Sequence, residues 1–207
     1  MSEIRVLIVE DEPLIAADIA ACIQKYDYLV TGISYTTEQA EKELATNLPD
    51  VIFLDINLKK GEEGIRLAEK INEHYKIPFI YLTSYSDRQT LNAAKTTRPC
   101  GYVVKPFSCG GLYAALEVAL YNYAQQNKII FPQLRLQTIN EALASPLSER
   151  EFEVLQLIYE GYTNIQIADK IFVSSNTIKK HINNAYLKID AATRGAAIAR
   201  LRALMLD

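Results

Sequence analysis

The chain has no apolar run approaching the length of a membrane span, although hydrophobic residues make up 49% of its 207 positions. A spanning helix needs a much longer uninterrupted apolar stretch, so no membrane segment is expected, while enough apolar side chain remains for packed cores. The start, Met1-Ser2-Glu3-Ile4-Arg5, lacks the charged lead and apolar stretch of a secretory signal, and a soluble cytoplasmic protein is expected. Cysteine is scarce. Cys22, Cys100 and Cys109 are odd in number and have no metal spacing, so reduced structural thiols are expected. Histidine is scarcer still, and no ligand spacing surrounds His74 or His181, which argues against a metal site built on them. Internal repeats and low-complexity tracts are missing too. A length of 207 residues fits two small domains better than one large one.

Charge is unevenly placed. The net charge of -3 combines residues 1–126, with 12 Lys+Arg against 17 Asp+Glu (-5), and residues 127–207, with 10 against 8 (+2). Residues 174–207 alone hold 6 against 2 (+4). An acidic front and a basic tail imply separate partners, and the tail suits nucleic acid.

The front half alternates strand-like runs near 4–9, 28–33, 51–54, 79–82 and 101–104 with helical stretches near 13–25, 37–46, 64–74, 87–96 and 110–126. Five repeats of strand then helix predict a doubly wound five-stranded parallel α/β sheet covered on both faces. Pro13 suits the first turn of the first helix. From about 127 to 146 the pattern weakens, with a polar stretch, Pro132, Pro146 and one short helix expected around 134–143. From 147 the pattern is wholly helical. Ser148 and Glu151 have capping-box spacing, Thr163-Asn164-Ile165-Gln166 repeats the signal, Ser174 can cap a third helix and Thr193 can start a fourth. Ile178, Ile182, Ala185 and Ile189 give the third helix one buried face. The boundaries expected are 1–124 for the first domain, 125–143 for a linker and 144–207 for a small all-α four-helix domain.

The strand-like runs end in chemistry. The first delivers Glu10 and Asp11, the third Asp55, the fourth Thr83 and the fifth Lys105 followed by Pro106. A carboxylate closing an apolar strand is costly unless its charge is used. In an open parallel sheet the carboxyl ends share one edge, where ligands bind. A carboxylate is a poor nucleophile toward a phosphorylated donor because both are anionic. A hard divalent cation, magnesium or manganese, removes that repulsion. Asp11 and Asp55 suit direct ligation, Glu10 is placed to hold a coordinated water, Thr83 can donate to a phosphoryl oxygen and Lys105 supplies fixed positive charge.

Leu7-Ile8-Val9-Glu10-Asp11-Glu12, Leu54-Asp55-Ile56-Asn57-Leu58, Leu82-Thr83-Ser84 and Gly101-Tyr102-Val103-Val104-Lys105-Pro106-Phe107 resemble the receiver motifs of two-component response regulators, over about residues 4–122. The resemblance implies a flavodoxin-like receiver, phosphorylation of Asp55 by a sensor histidine kinase and a metal ligated through the Asn57 carbonyl as well. It further implies a cis Lys105-Pro106 bond and a Tyr102 that reorients with Thr83. Arg98-Pro99-Cys100 departs from the Gly-Ala pair that many receivers carry there.

In the tail, Lys179, Lys180 and Asn183 are expected opposite Ile178 and Ile182, suited to phosphate and base contacts. Ser175, Asn176 and Thr177 open the same helix, where amides and hydroxyls favour phosphate. Leu147-Ser148-Glu149-Arg150-Glu151, Glu160-Gly161-Tyr162-Thr163-Asn164, Ile167-Ala168, Thr177-Ile178-Lys179-Lys180-His181 and Lys188-Ile189 resemble the helix-turn-helix domain of LuxR/NarL-type regulators, over about 145–207. That implies a recognition helix at 175–189, double-stranded DNA as partner and a homodimer on DNA through the last helix.

The combined reading is a phosphorylation-controlled transcription factor whose catalysis is limited to its own phosphorylation and dephosphorylation. One rival, an aspartate-nucleophile phosphatase, usually has a second Asp two residues after the nucleophile, where this chain has Asn57. The other rival is a signalling adaptor whose helical tail binds protein. A steep salt dependence of binding would mark DNA instead.

Overall fold

The structure is a computed structural model that describes residues 3–26, 28–58, 61, 63–84, 88–128 and 133–205. Two compact units divide the chain, residues 4–119 and residues 120–207. In the first, β1 (Ile4–Val9), β2 (Tyr28–Ser34), β3 (Val51–Asp55), β4 (Phe79–Thr83) and β5 (Gly101–Val104) alternate with α1 (Pro13–Gln24), α2 (Thr37–Thr46), α3 (Glu63–Lys70), α4 (Arg88–Thr96) and α5 (Cys109–Lys128). The strands pair in parallel in the order β2-β1-β3-β4-β5. This is the doubly wound sheet that the five-fold alternation predicts. The chain leaves β1 in one direction and returns to its other side at β3, so the switch point falls between β1 and β3.

Period-two alternation divides the strand residues between two helix layers. Leu7, Val9, Ile52, Leu54, Phe79 and Tyr81 share a core with Ala40 and Leu44 of α2, Ile65, Leu67 and Ala68 of α3, and Ala94 of α4. Their alternates Val6, Ile8, Phe53, Ile80 and Leu82 are equally buried on the opposite face. The helix predicted over 64–74 is α3 followed by a π turn at Ile71–Tyr75, closed by Lys76 in the left-handed conformation.

On the other layer α1 and α5 lie against each other. The Tyr26 and Tyr113 rings stack at 4.3 Å, and the Tyr28 hydroxyl donates to Glu117 Oε1 at 2.6 Å. Cys22 and Cys109 are joined by a disulfide with Cα atoms 4.9 Å apart. This corrects the expectation of three reduced thiols. The half-cystines stand 87 residues apart, a separation with no sequence signal, and the fold makes the pair by laying two remote helices together. Cys100 is the free cysteine, and burial pushes its thiol up to about 11.

The second unit holds the end of α5, α6 (Leu136–Glu141), α7 (Glu149–Tyr159), α8 (Asn164–Lys170), α9 (Ser175–Lys188) and α10 (Arg194–Ala203). Each of the last four begins at the expected cap. Ser148–Glu151 and Thr163–Gln166 form full capping boxes, Ser174 accepts from the Thr177 amide and Thr193 from the Ala196 amide. Each cap satisfies an otherwise orphaned amide and contributes about 1 kcal/mol. Val154, Leu155, Ile158, Ile167, Ile178, Ile182, Ala185, Ala197 and Leu201 build one core, which Leu134 and Ile139 from the stretch before α7 also join. Buried Arg194 donates to the carbonyls of Ile158 at 3.0 Å and Tyr162 at 2.7 Å, satisfying the C-terminal end of α7.

Candidate phosphoacceptor site and nucleic-acid helix

Parallel pairing brings the strand ends to one edge. Glu10 and Asp11 follow β1, Asp55 closes β3, Thr83 closes β4 and Lys105 follows β5. Ligand oxygens of Glu10, Asp11 and Asp55 all lie within 4.8 Å of one another. Glu10 is fully buried, Asp55 and Thr83 nearly so, and Asp11 half-buried.

The Lys105 ammonium lies between two of the carboxylates, 2.6 Å from Glu10 Oε2 and 2.7 Å from Asp55 Oδ2. Lys105 is carried there by its own amide, which donates to the Thr83 carbonyl at 2.7 Å, and the Lys105-Pro106 bond is cis. The Asn57 amide donates to Asp55 Oδ1 at 3.0 Å, so both Asp55 oxygens have a donor. Burial pushes the Glu10 carboxyl up to about 7, with the neighbouring Asp55 charge adding to that and Lys105 opposing it. Burial works against the Lys105 charge, but hydrogen bonds and attraction from Asp55 and Glu10 outweigh it and raise its pKa. Three carboxylates facing one ammonium leave an excess of negative charge, and an all-oxygen set of that kind can hold a hard cation.

Two supporting features carry no motif. Gly64 opens α3 directly over β3: a Cβ added there would stand 2.0 Å from the Asp55 carbonyl oxygen, so only glycine lets the helix approach. Tyr81, two residues before Thr83, packs against Tyr102 with centroids 5.8 Å apart and the rings tilted by 35°. Its hydroxyl lies 2.9 Å from Thr97 Oγ1, and that hydroxyl already donates to the Ala94 carbonyl at 2.7 Å. A hydroxyl has one proton to give, so Tyr81 donates to Thr97. Asn72, in the π turn, donates to the Thr97 carbonyl. Tyr102 is partly exposed at 38%, and Arg98, just before Pro99, adopts a left-handed φ of 53°. A hydroxyl-bearing aromatic within an apolar strand was the signal available for Tyr81, and it reads equally well as core.

In the second unit, α8 and α9 are joined by a four-residue turn in which Phe172 has φ 56°. Along α9, Asn176, Lys180, Asn183, Asn184 and Leu187 are exposed, while Ile178, Ile182 and Ala185 are buried. Lys180 and Asn183 thus occupy the outward face expected of them. Lys179 is half-buried at its flank, because it sits one helical step, about 100°, from Ile178. Ser175 and Thr177 are half-buried near the helix start, with Thr177 Oγ1 2.8 Å from Ser174 Oγ.

A doubly wound sheet with an acidic trio and a lysine at its switch point, joined to a helix-turn-helix unit, defines a two-part signalling regulator. Residues 6–117 match the response regulator receiver domain, and residues 145–201 match the bacterial regulatory proteins of the luxR family. The receiver match spans more than half of the chain, and the chain belongs to the response regulator family, with a LuxR-type second domain. Among similar proteins, the transcriptional regulatory protein MctR of Rhizobium johnstonii is 25% identical over 95% of this chain and 92% of its own length. LiaR of Bacillus subtilis, also a transcriptional regulatory protein, is 28% identical over 94% of both chains. A solved structure of RcsB from Salmonella enterica serovar Typhimurium matches at 23% identity and a TM-score of 0.50 over 96% of this chain and 99% of that one, a likeness of fold. The protein is a DNA-binding two-component response regulator. Its two domains imply a histidine kinase and DNA as partners. Among the described residues, no helix is long and apolar enough to cross a membrane.

Proposed function

We propose that Asp55 accepts a phosphoryl group from a sensor histidine kinase and that this controls binding of α9 to double-stranded DNA. The observation that carries the reading is the meeting of Glu10, Asp11, Asp55 and Lys105 at the switch point of the sheet. Glu10, Asp11, Asp55 and the Asn57 carbonyl are the residues that would hold magnesium or manganese. Bound there, the cation supplies neutralising charge to the carboxylates and the donor's phosphoryl oxygens. An Asp55 carboxylate oxygen forms the new O–P bond while the donor's leaving group departs in line. Lys105 exchanges part of its contact with Asp55 for a phosphoryl oxygen, and Thr83 donates to another, with Tyr102 following the Thr83 movement. The protein's catalysis is confined to this transfer and its hydrolysis.

The DNA-reading residues proposed are Ser175, Asn176, Thr177, Lys179, Lys180 and Asn183, with the amide and ammonium groups of the outward face aimed at base edges and phosphates. Functional boundaries of 1–124 for the receiver, 125–143 for the linker and 144–207 for the DNA-binding domain accompany this reading, as do a cytoplasmic location and a homodimer on adjacent half-sites. The solved RcsB structure holds that protein bound to the promoter rprA in the presence of phosphomimetic BeF3-, which supports the same coupling here. With magnesium and a small phosphodonor, the protein should gain one base-labile phosphate, and Asp55→Asn should abolish it. Undiminished uptake by that variant would move the phosphoacceptor elsewhere.

A further inference from the structure

We propose that Cys22 and Cys109 form a reversible thiol–disulfide modification site that reacts with low-molecular-weight disulfides, with Cys109 as the attacking thiol. Their Cα atoms are 4.9 Å apart, inside the range in which the bond forms without backbone movement. Both residues are half-buried, so a small disulfide can approach them from solvent. A disulfide at this place is not required for the core. α5 is already held beside the end of α1 by the Tyr113 stack on Tyr26, in the turn after α1, and by the Glu117 hydrogen bond from Tyr28 at the start of β2.

The sulfurs have unequal surroundings. Cys109 is the first residue of α5, next to the Ser108 side chain that accepts from the Gly111 amide at 3.1 Å. A thiolate is stabilised at a helix N-terminus by the orphan amides and the dipole. Cys22 lies in the last turn of α1, where the same field disfavours an anion. Cys109 therefore carries the larger thiolate fraction when the pair is reduced. It attacks a small disulfide such as oxidised glutathione, forming the Cys109–glutathione S–S bond and releasing one glutathione thiolate. The Cys22 thiolate then attacks the Cys109 sulfur, closes the protein disulfide and expels the second glutathione thiolate. The net change is two protein thiols oxidised and one glutathione disulfide reduced to two glutathione thiols. Cys100 takes no part: it is free in the structure, and its buried thiol holds its proton to about 11.

The full-length protein, equilibrated anaerobically over a range of reduced-to-oxidised glutathione ratios, would be quenched, alkylated and mapped by mass spectrometry. Cys22 and Cys109 should lose alkylation together as the ratio falls and recover it when reduced glutathione is restored, while Cys100 is alkylated throughout under denaturing quench. In C22S a glutathione adduct should accumulate on Cys109, several-fold faster than the adduct on Cys22 in C109S. Full alkylation at every ratio overturns the proposal. So does a disulfide that persists at every ratio in the folded protein, which marks a permanent staple. Faster adduct formation at Cys22 overturns the assignment of the attacking thiol. The wild-type titration stands alone if either variant folds poorly.

Discussion

Replacing Lys105 by Met, which keeps the methylene stem and removes the charge, should destabilise the first unit in a pH-dependent manner. The ammonium is 2.6 Å from Glu10 and 2.7 Å from Asp55, and the three side chains are 12%, 0% and 8% exposed. Breaking a buried pair by deleting one partner costs about 3–5 kcal/mol, because the survivor is left uncompensated. The pocket opens at the sheet edge, so the lower end applies: about 3 kcal/mol at pH values where both carboxylates are ionised. The sign with pH follows from Glu10. Its folded value of about 7 lies above the ordinary 4.5, so the folded state holds a proton that the unfolded state has released. Stability therefore falls as pH rises through that window. Below it Glu10 is neutral in wild type and variant alike, and the substitution removes only the link to Asp55. The deficit should then shrink to about 1–2 kcal/mol, the worth of one charged hydrogen bond. A saturating divalent cation should restore part of the loss above neutrality and little below it. Urea-dependent hydrogen exchange of sheet peptides, read by mass spectrometry, reports this unit separately from the helical one. A deficit equal at both ends of the pH range, or larger in acid, would refute the argument and assign Lys105's contribution to its aliphatic stem.

Tyr81→Phe leaves the Thr97 Oγ1 acceptor buried without its donor, which should cost about 1–2 kcal/mol in urea unfolding; an unchanged midpoint would mean that water replaces the hydroxyl. In the second unit the pH sign reverses. Glu151 suffers from burial, but hydrogen bonds from Lys188 and Ser148 outweigh it and lower its pKa below 4.5, so its contribution is present above that value and lost as acid protonates it. Glu151→Gln should thus cost about 2 kcal/mol near neutrality, with the deficit closing in acid when followed by hydrogen exchange of α7 peptides. Lys180→Ala should reduce the log–log salt slope of DNA binding by about 1 if the side chain touches phosphate alone, measured by fluorescence anisotropy; an unchanged affinity and slope would move the contact off the outward face of α9.

Local pattern determined much of this protein. The five strand positions, the helices between them and the four capping residues Ser148, Thr163, Ser174 and Thr193 all follow from period and cap chemistry within a few residues. The order acid pair, lone Asp, hydroxyl and lysine at successive strand ends was legible for the same reason, because parallel connectivity places every carboxyl end on one edge. Tertiary structure decided what depends on residues far apart in the chain. The Lys105 bridge between Glu10 and Asp55, and the raised proton affinity of Glu10, arise from how deeply three strand ends are buried together. Gly64 gained its role when α3 met the Asp55 carbonyl, and Tyr81 gained its partner when α4 brought Thr97 over β4. The Cys22–Cys109 bond reversed the sequence expectation for two of the three cysteines, leaving Cys100 free. Nothing in a spacing of 87 residues specifies a contact until the sheet order sets α1 beside α5, and a pairwise distance is a property of that packing, not of either helix alone.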